Sequence, residues 1–582
     1  MIRTDRIKRA LVRYLPLTPA IFLAVLIPRF WVNLPQYDEW DSVTFFEHLS
    51  HGTLTAGLLF KQANEYRQFF PNVIVVALGW LTRWDIRYDM VVTFVIACLI
   101  SVNVWRLAAR TVQVDPLKFS LLIFLGNLII FSPTQYENWL QGQQMVYYLP
   151  ILCVTACILT ARSNLATLTK FIICGALSTI SMFSSANGVV CWITVLPVLL
   201  CCEWPRNAYL VRWLSVGWLA ALGLNIALYL YHYQKPWWSP SPLSGFYHPV
   251  QAGIYFLGFV GAPFGLERAR LSIVAGGILF AGFICVWFYL LRHHSDRALK
   301  ARAIGWLMIG SYSVLTAAMT TIGRVGMGPG QSQSPRYIGF SAYLVVSLIF
   351  LVNIIAGDMS QRRGHTSPRK FHRLNWAVVI VLVLYQPFML SLSFRKMEMW
   401  QTRLRQAKAS ILLINELQDT LLTKILYPNL PYLGEKSNAL DRLGFLRPSL
   451  IRTNHLKDFS VNDFDPKSCG SVGSGGLAGN QYTALGWATL PGEHRMPDAI
   501  ILAYDTGDGD EIAFALTHPA RIAGAGNSEI GSWQLRFSSE QLPRAPVTIT
   551  AWAFSADTGK ARRMNGALKM ITGEQNFVMD PQ

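Results

Sequence analysis

Three carboxylates stand together directly after the first apolar segment of the chain. Asp38, Glu39 and Asp41 follow a stretch from about Leu15 to Asn33, which has about the 20 residues needed to cross a hydrocarbon core. Carboxylates beside a bilayer are costly unless water, a cation or a substrate occupies the site. An alternative for Asp41 is the N-cap of a helix over residues 45–49. The cluster indicates chemistry at the lipid surface.

Two further polar segments carry groups that suit substrate recognition. Glu65 and Arg67 lie in a short charged run before an apolar stretch, so Arg67 either meets a substrate or pairs with a neighbouring acid. Glu137, Asn138 and Gln143 lie in a loop that also holds two aromatic residues. Such amides, acids and rings hydrogen-bond to hydroxyls and stack on sugar faces, although an aromatic belt with capping amides is the alternative.

A glycine-rich loop joins two apolar stretches near the end of the hydrophobic region. Arg324 stands within this loop, and Arg336 and Tyr337 stand where the next apolar stretch begins. Backbone amides freed by glycines and two guanidinium groups can hold a lipid phosphate. The alternative for either arginine alone is that its side chain extends to the lipid headgroups. The glycine spacing is not a nucleotide fingerprint, because no strand precedes it.

Composition sets the class of protein that must position these groups. Of 582 residues, 52% are hydrophobic and only 14% are charged, and the mean hydropathy is +0.32. These values are typical of a multi-spanning membrane protein and exclude a soluble enzyme. The first apolar stretch is long and has no small-residue cleavage site after it, so we interpret it as a retained signal anchor.

The hydropathy pattern predicts about eleven transmembrane helices. After the first, they lie near residues 88–107, 118–133, 145–161, 169–186, 187–202, 212–231, 271–291, 303–321, 338–356 and 376–392. Shorter stretches at 70–83 and 250–264 are interpreted as juxtamembrane or re-entrant helices, because loop charge then obeys the positive-inside rule. The N-terminus is then cytoplasmic, and the outer loops at 132–144, 184–187 and 232–250 hold Lys235 as their single basic residue. The net charge of +18 therefore comes mostly from basic residues in the predicted cytoplasmic loops, and no nucleic-acid partner is expected.

The chain changes character after the last apolar stretch. Residues 395–425 have the pattern of an amphipathic helix leaving the membrane, and a loop-rich connector follows. Short segments at 484–489, 499–504, 512–517, 533–537 and 547–553 are rich in β-branched and aromatic residues. They predict a C-terminal external antiparallel β-sandwich domain, either a glycan-binding or a packing module.

This arrangement resembles the GT-C superfamily, the polytopic glycosyltransferases that use polyprenyl-phosphate-linked sugars. The resemblance lies in the Asp38-Glu39 motif that opens the first external loop, the juxtamembrane helices in that loop, the number of spans and the external C-terminal domain. It implies that Asp38 or Glu39 is the catalytic base that takes the acceptor hydroxyl proton. The substrate-binding candidates are Asp41, Glu65, Arg67, Glu137, Asn138, Gln143, Arg324, Arg336 and Tyr337.

The prediction is therefore a GT-C-like α-helical polytopic module over residues 1–392, with external loop 34–87, an external helix and connector over 393–475, and a β-sandwich over 476–582. Its expected activity is inverting transfer of a sugar from a polyprenyl-phosphate donor to a glycan, lipid or protein acceptor outside a bacterial inner membrane. No cofactor is required, although a divalent cation bridging Asp38, Asp41 and phosphate is compatible with the chemistry. The alternatives are a transporter or flippase, and a non-catalytic envelope-glycan assembly protein.

The nine cysteines favour neither a disulfide framework nor a structural metal. Eight of them lie in or at the ends of apolar stretches, where cysteine behaves as a small hydrophobic residue. Cys469 is the single cysteine in the exported tail, and no CxxC or His/Cys cluster has zinc-site spacing.

Overall fold

The structure is a computed structural model that describes residues 12–204, 207–265, 268–362, 368–419, 421–478, 481–505, 507, 509–521, 529–543, 546–570 and 577–579. The basic residues 3–9, on which the predicted orientation of the N-terminus depends, lie outside these ranges. The chain forms two compact units. The first comprises residues 1–31, 55–82 and 86–397, and the second comprises 32–54, 83–85 and 398–582.

The first unit is helical throughout its described part. Its longer helices are Thr18–Phe30, Phe69–Thr82, Arg87–Thr111, Pro116–Ile130, Met145–Ala161, Thr167–Met182, Val189–Glu203, Ala208–Leu230, Pro249–Gly265, Ala269–Arg292, Arg297–Arg324 and Ile338–Arg362. Short α-helices lie at Ala56–Phe60, Tyr136–Leu140 and Ser244–Tyr247. Turns of 3₁₀-helix lie at Leu15–Leu17, Pro133–Gln135, Ala186–Gly188, Val325–Met327, Pro329–Gln333 and Pro335–Tyr337.

Eight helical segments of the described chain are long and apolar enough to cross a membrane, by length and composition. They are Val12–Phe30, Arg87–Thr111, Pro116–Leu140, Ala186–Glu203, Ala208–Leu230, Ala269–Arg292, Arg297–Met327 and Pro335–Arg362. Each coincides with one of the eleven predicted spans. The predicted spans at 145–161 and 169–186 form shorter apolar helices, and the last belongs to a longer helix. These helices are compatible with an integral membrane protein.

Close backbone contact and one buried ion pair hold neighbouring helices of this unit together. A Cβ added at Gly261 would lie 1.8 Å from the carbonyl oxygen of Ser272, so Pro249–Gly265 and Ala269–Arg292 meet where side chains are small, as membrane helices do. The Nζ atom of Lys170 lies 2.7 Å from Oε1 of Glu203, with both side chains almost fully buried. This pair fixes the helix Thr167–Met182 against the end of Val189–Glu203.

One helix of 45 residues, Pro368–Leu412, contains both the last predicted span and most of the predicted amphipathic helix. The side chains of 368–384 and 386 lie outside the described part, so the predicted span at 376–392 has described side chains only at 385 and 387–392. The prediction that the amphipathic helix continues to residue 425 is wrong. Asp419 accepts a hydrogen bond from the backbone N–H of Leu421 at 2.8 Å and caps a separate helix, Leu421–Ile425.

The second unit contains two antiparallel sheets. The strands are β1 (Gly470–Ala478), β2 (Gln481–Ala488), β3 (Ala499–Asp505), β4 (Glu511–Thr517), β5 (Ala520–Arg521), β6 (Gly531–Ser538), β7 (Val547–Ser555), β8 (Lys560–Arg563), β9 (Leu568–Met570) and β10 (Phe577–Met579). One sheet has the order β1-β2-β6-β5, and the other has β10-β9-β7-β3-β4 with β8 beside β7. The prediction of an antiparallel sheet region at the C-terminus is confirmed.

A shared apolar core lies between the two sheets. Ala484 and Trp533 of the first sheet and Ile500 and Ile549 of the second belong to one buried cluster. Helices Val43–Ser50, Leu430–Arg442 and Pro466–Cys469 complete this unit, with 3₁₀ turns at Tyr37–Ser42, Leu456–Asp458, Pro491–Glu493 and Ser539–Gln541. The connector predicted to be loop-rich therefore contains a 13-residue helix, Leu430–Arg442, and the start of β1.

Candidate functional site

A pocket of about 460 Å³ lies within the helical first unit. Most of its wall is apolar, which is typical of sites that take an organic ligand. Its polar and ionisable lining residues come from several separate parts of the chain and include Glu65, Tyr66, Tyr147, Asn187, Tyr233, Lys235, Arg324 and Tyr337. The structure thus brings three of the predicted substrate-binding residues, Glu65, Arg324 and Tyr337, to one cavity.

An ion pair joins two of these residues. Arg324, the last residue of the helix Arg297–Arg324, donates from Nη2 to Oε2 of Glu65 at 2.8 Å and to the hydroxyl of Tyr66 at 3.0 Å. The side chains of Arg324 and Glu65 are 14% and 15% exposed. The ring of Trp238 lies 5.1 Å from the guanidinium carbon of Arg324. Arg324 is therefore fixed by an anion, a phenol and an aromatic face.

A second guanidinium lies beside the same tyrosines. Arg336 interacts electrostatically with Tyr66, Tyr147, Tyr337 and Glu137, and its guanidinium carbon lies 5.8 Å from the ring centroid of Tyr337. Its Nε atom is buried and has no hydrogen-bond partner in the described part of the chain. Buried polar groups are normally satisfied, so this nitrogen is an exception, although Arg336 is not among the residues that line the pocket.

The hydroxyl groups around the two arginines are donors at neutral pH. Burial raises the pKa of Tyr66 to about 12, although Arg324 acts in the opposite direction. Burial also raises the pKa of Tyr233, where Glu65 adds to the effect. Both phenols therefore keep their protons and are able to donate hydrogen bonds to a ligand oxygen.

Arg67 has a different role from the one its position in the sequence suggested. It is 5% exposed and donates to the carbonyl oxygens of Tyr229 at 2.8 Å, of Phe60 at 3.0 Å and of Tyr231. The predicted alternative, a pair with Glu65, does not form, because Glu65 pairs with Arg324. Arg67 is not among the residues that line the pocket. Its hydrogen bonds join the segment that carries Glu65 to Phe60 and to the end of the helix Ala208–Leu230.

Two residues of the loop around Glu137 contact the segment that carries Arg336. Glu137 accepts a hydrogen bond from the hydroxyl of Ser334 at 3.2 Å. Asn138 is fully buried, and its Nδ2 atom donates to the carbonyl oxygen of Arg336 at 3.2 Å. Gln143 adopts a left-handed backbone conformation, with φ of 48°, before the helix Met145–Ala161. Asn138 and Glu137 thus orient the segment that carries Arg336.

The three carboxylates that follow the first apolar segment belong to the second unit, on the 3₁₀ turn Tyr37–Ser42. Glu39 is 2% exposed and accepts a hydrogen bond from the backbone N–H of Gln36 at 2.8 Å, so its carboxylate caps the turn. Asp38 is exposed. Asp41 accepts a hydrogen bond from the hydroxyl of Tyr432 at 2.7 Å, while burial raises the pKa of Asp41.

No group of three or more histidine, cysteine, aspartate or glutamate side chains able to hold a metal ion occurs among the described residues. The predicted divalent cation thus has no such cluster around Asp38 and Asp41 within that part of the chain. The polar pocket residues that the sequence analysis did not select include Tyr66, Tyr147, Asn187 and Lys235. Lys235 could have been selected, because it is the single basic residue of the predicted outer loops at 132–144, 184–187 and 232–250.

Comparison with protein-family models, with curated proteins and with solved structures found no match to this chain. The class of protein therefore rests on the fold and the pocket themselves. Together they describe a chain compatible with an integral membrane protein, with a C-terminal antiparallel sheet region and a cavity among its helices that is lined by Arg324, Lys235 and several tyrosines.

Proposed function

We propose that this protein is an integral-membrane glycosyltransferase that moves a sugar from a polyprenyl-phosphate donor to a glycan, lipid or protein acceptor. The observation that carries the proposal is that Arg324 lines the cavity together with Tyr66 and Tyr337. Arg336 interacts electrostatically with the same two tyrosines from outside the cavity lining. Guanidinium groups are well suited to phosphate oxygens because they are planar, permanently charged and rich in donors. The apolar part of the cavity wall suits a ligand with a hydrocarbon chain.

The proposed reaction is an inverting displacement. An acceptor hydroxyl oxygen attacks the anomeric carbon, the bond between that carbon and the phosphate oxygen breaks, and the polyprenyl phosphate leaves with the electron pair. Arg324 and Arg336 stabilise the negative charge that develops on the phosphate, which is commonly the largest contribution to such catalysis. The hydroxyl proton passes to a carboxylate, which contributes about 10²- to 10⁴-fold.

Asp38 is the better of the two predicted bases. The carboxylate of Glu39 is buried and accepts a hydrogen bond from its own turn, whereas Asp38 is exposed. We place the reaction on the external face of a bacterial inner membrane, with the N-terminus cytoplasmic and the C-terminal domain periplasmic. This placement follows from the loop charge, since Lys235 is the single basic residue of the predicted outer loops at 132–144, 184–187 and 232–250.

The test uses the purified full-length protein in sealed proteoliposomes with a panel of radiolabelled polyprenyl-phosphate sugars. We expect the wild type to release polyprenyl phosphate and label an acceptor, and Asp38→Asn to lower the rate by about 100-fold or more. Asp458→Asn, a change at another exposed carboxylate of the same unit, is the matched control. Movement of intact donor across the bilayer without bond cleavage would instead identify a transporter or flippase. Full activity of Asp38→Asn would remove this residue as the base.

A further inference from the structure

The pocket already contains an anion in contact with one of its arginines. The carboxylate of Glu65 and the hydroxyl of Tyr66 both lie on Nη2 of Arg324, at 2.8 and 3.0 Å. Glu65 also lines the cavity. A ligand phosphate that binds Arg324 must therefore either share this nitrogen with Glu65 or replace it.

Replacement is favoured by the chemistry of the two anions. Carboxylate and phosphate oxygens make the same kind of charge-assisted hydrogen bond with a guanidinium. A carboxylate and a phosphate held side by side would repel one another in a largely buried site. An uncharged ligand, in contrast, offers Arg324 nothing that compensates for the loss of Glu65.

The backbone around Glu65 is fixed independently of its side chain. The hydroxyl of Tyr229 donates to the carbonyl oxygen of Glu65 at 2.9 Å. Ala63 and Tyr66 exchange two backbone hydrogen bonds of 2.9 Å across the turn. The side chain of Glu65 is therefore able to rotate away from Arg324 while the loop stays in place.

A second cation is available to a phosphate in the cavity. Lys235 lines the cavity, is exposed and forms no ion pair with a residue that the structure describes. Tyr233, a hydroxyl donor, lines the same cavity. A phosphate that takes the place of Glu65 on Arg324 thus gains a cation and a donor that the carboxylate does not engage.

We propose that Glu65 is the resident anion of this pocket, which the phosphate of a polyprenyl-phosphate ligand displaces from Arg324. This inference rests on the proposed function, because it assumes that the pocket takes a lipid-linked phosphate. It makes Glu65 a specificity-determining residue that keeps uncharged lipids and sugars out.

Equilibrium binding of undecaprenyl phosphate, which carries no sugar, to the full-length protein in nanodiscs tests the displacement. Glu65→Gln removes the competing anion, so we expect binding to tighten by roughly three- to tenfold, the scale of a partly exposed ion pair. Arg324→Gln should weaken binding by about tenfold or more. Glu540→Gln, at an exposed glutamate of the second unit, should leave it unchanged.

The outcomes separate the two proposals. If the wild type does not bind undecaprenyl phosphate, the proposed function fails. If the wild type binds it and Glu65→Gln binds equally or more weakly, only the displacement is overturned, and Glu65 is a structural partner of Arg324. If Glu65→Gln does not fold, Glu65→Asp is tested in its place. The shorter aspartate side chain weakens the ion pair with Arg324, so undecaprenyl phosphate should again bind more tightly than to the wild type. Unchanged or weaker binding by Glu65→Asp overturns the displacement.

Discussion

Arg67 and Tyr229 lock two distant parts of the chain together. Nε of Arg67 donates to the carbonyl oxygen of Tyr229 at 2.8 Å, and the hydroxyl of Tyr229 donates back to the carbonyl oxygen of Glu65 at 2.9 Å. The last turns of the helix Ala208–Leu230 thereby hold the loop that presents Glu65 to the pocket. This relationship explains how a short polar loop keeps a fixed place beside an apolar cavity.

Arg67→Met should therefore act on structure rather than on phosphate contact. The change removes the donors to three backbone carbonyls, and we expect a loss of roughly 2–3 kcal/mol in stability. Undecaprenyl phosphate should bind more weakly, but the slope of log affinity against log salt concentration should stay that of the wild type. Arg324→Gln, in contrast, should lower that slope. An Arg67→Met variant of wild-type stability and reduced salt slope would show that Arg67 contacts the ligand.

Substitution of Arg336 should differ from Arg67→Met, because it should weaken ligand binding without lowering the stability of the protein. Its Nε atom is buried without a hydrogen-bond partner among the described residues, so this nitrogen contributes no hydrogen bond to the described fold. We expect Arg336→Gln to weaken binding of undecaprenyl phosphate by about tenfold or more and to leave the melting temperature unchanged or raised, as at functional sites that sacrifice stability.

The control for Arg336→Gln is Arg297→Gln, which changes an exposed arginine at the first position of the helix that ends in Arg324. Its binding and melting temperature should match those of the wild type. A large drop in the melting temperature of Arg336→Gln with unchanged affinity would assign Arg336 a structural role.

A buried network in the second unit gives a prediction about pH. Oδ2 of Asp419 lies 2.8 Å from Nε2 of His518 and 2.5 Å from the hydroxyl of Ser410. Burial favours the protonated carboxyl, but these hydrogen bonds outweigh it and lower the pKa of Asp419 below 3.8. Since the folded state prefers the ionised form, the stabilisation is complete well above pH 3.8 and is lost as the pH falls through the lowered pKa.

Asp419→Asn should therefore destabilise the second unit at pH 7, and the difference from the wild type should shrink as the pH falls below about 4. Chemical unfolding of the full-length protein, followed by tryptophan fluorescence at a series of pH values, measures this difference. If the difference in stability between the wild type and Asp419→Asn instead grows as the pH falls, the ionised form of Asp419 does not stabilise the folded state. Asp458→Asn serves as the control, because Asp458 is an exposed carboxylate of the same unit.

The sequence predicted the elements whose patterns are local. Eight of the predicted spans coincide with apolar helices because hydropathy depends on composition alone. The strands β2, β3, β4, β6 and β7 coincide with segments of β-branched and aromatic residues. β1 was missed because it is rich in glycine and serine, which have low strand propensity. Its partner strand even requires glycine, since a Cβ at Gly486 would lie 1.9 Å from the carbonyl oxygen of Ser471.

The pocket was predictable in its residue types but not in its contacts. Glu65, Arg324 and Tyr337 were selected as charged or aromatic residues in polar loops, and they do line one cavity. Glu65 and Arg324 are 259 residues apart in the chain, so no local pattern reveals that they pair. Arg67 looked like a ligand for phosphate because sequence reasoning does not show which backbone carbonyls a cation will meet.

The most direct measurement of the central claim is photo-crosslinking of a polyprenyl phosphate in membranes that contain the full-length protein. The probe carries a diazirine on the isoprene unit next to the phosphate, and labelled peptides are mapped by mass spectrometry. We predict labelling of the pocket segments, residues 182–189, 226–242 and 319–340, with competition by unlabelled polyprenyl-phosphate sugar and loss of labelling in Arg324→Gln. Labelling confined to other segments, or unchanged by Arg324→Gln, would contradict the account.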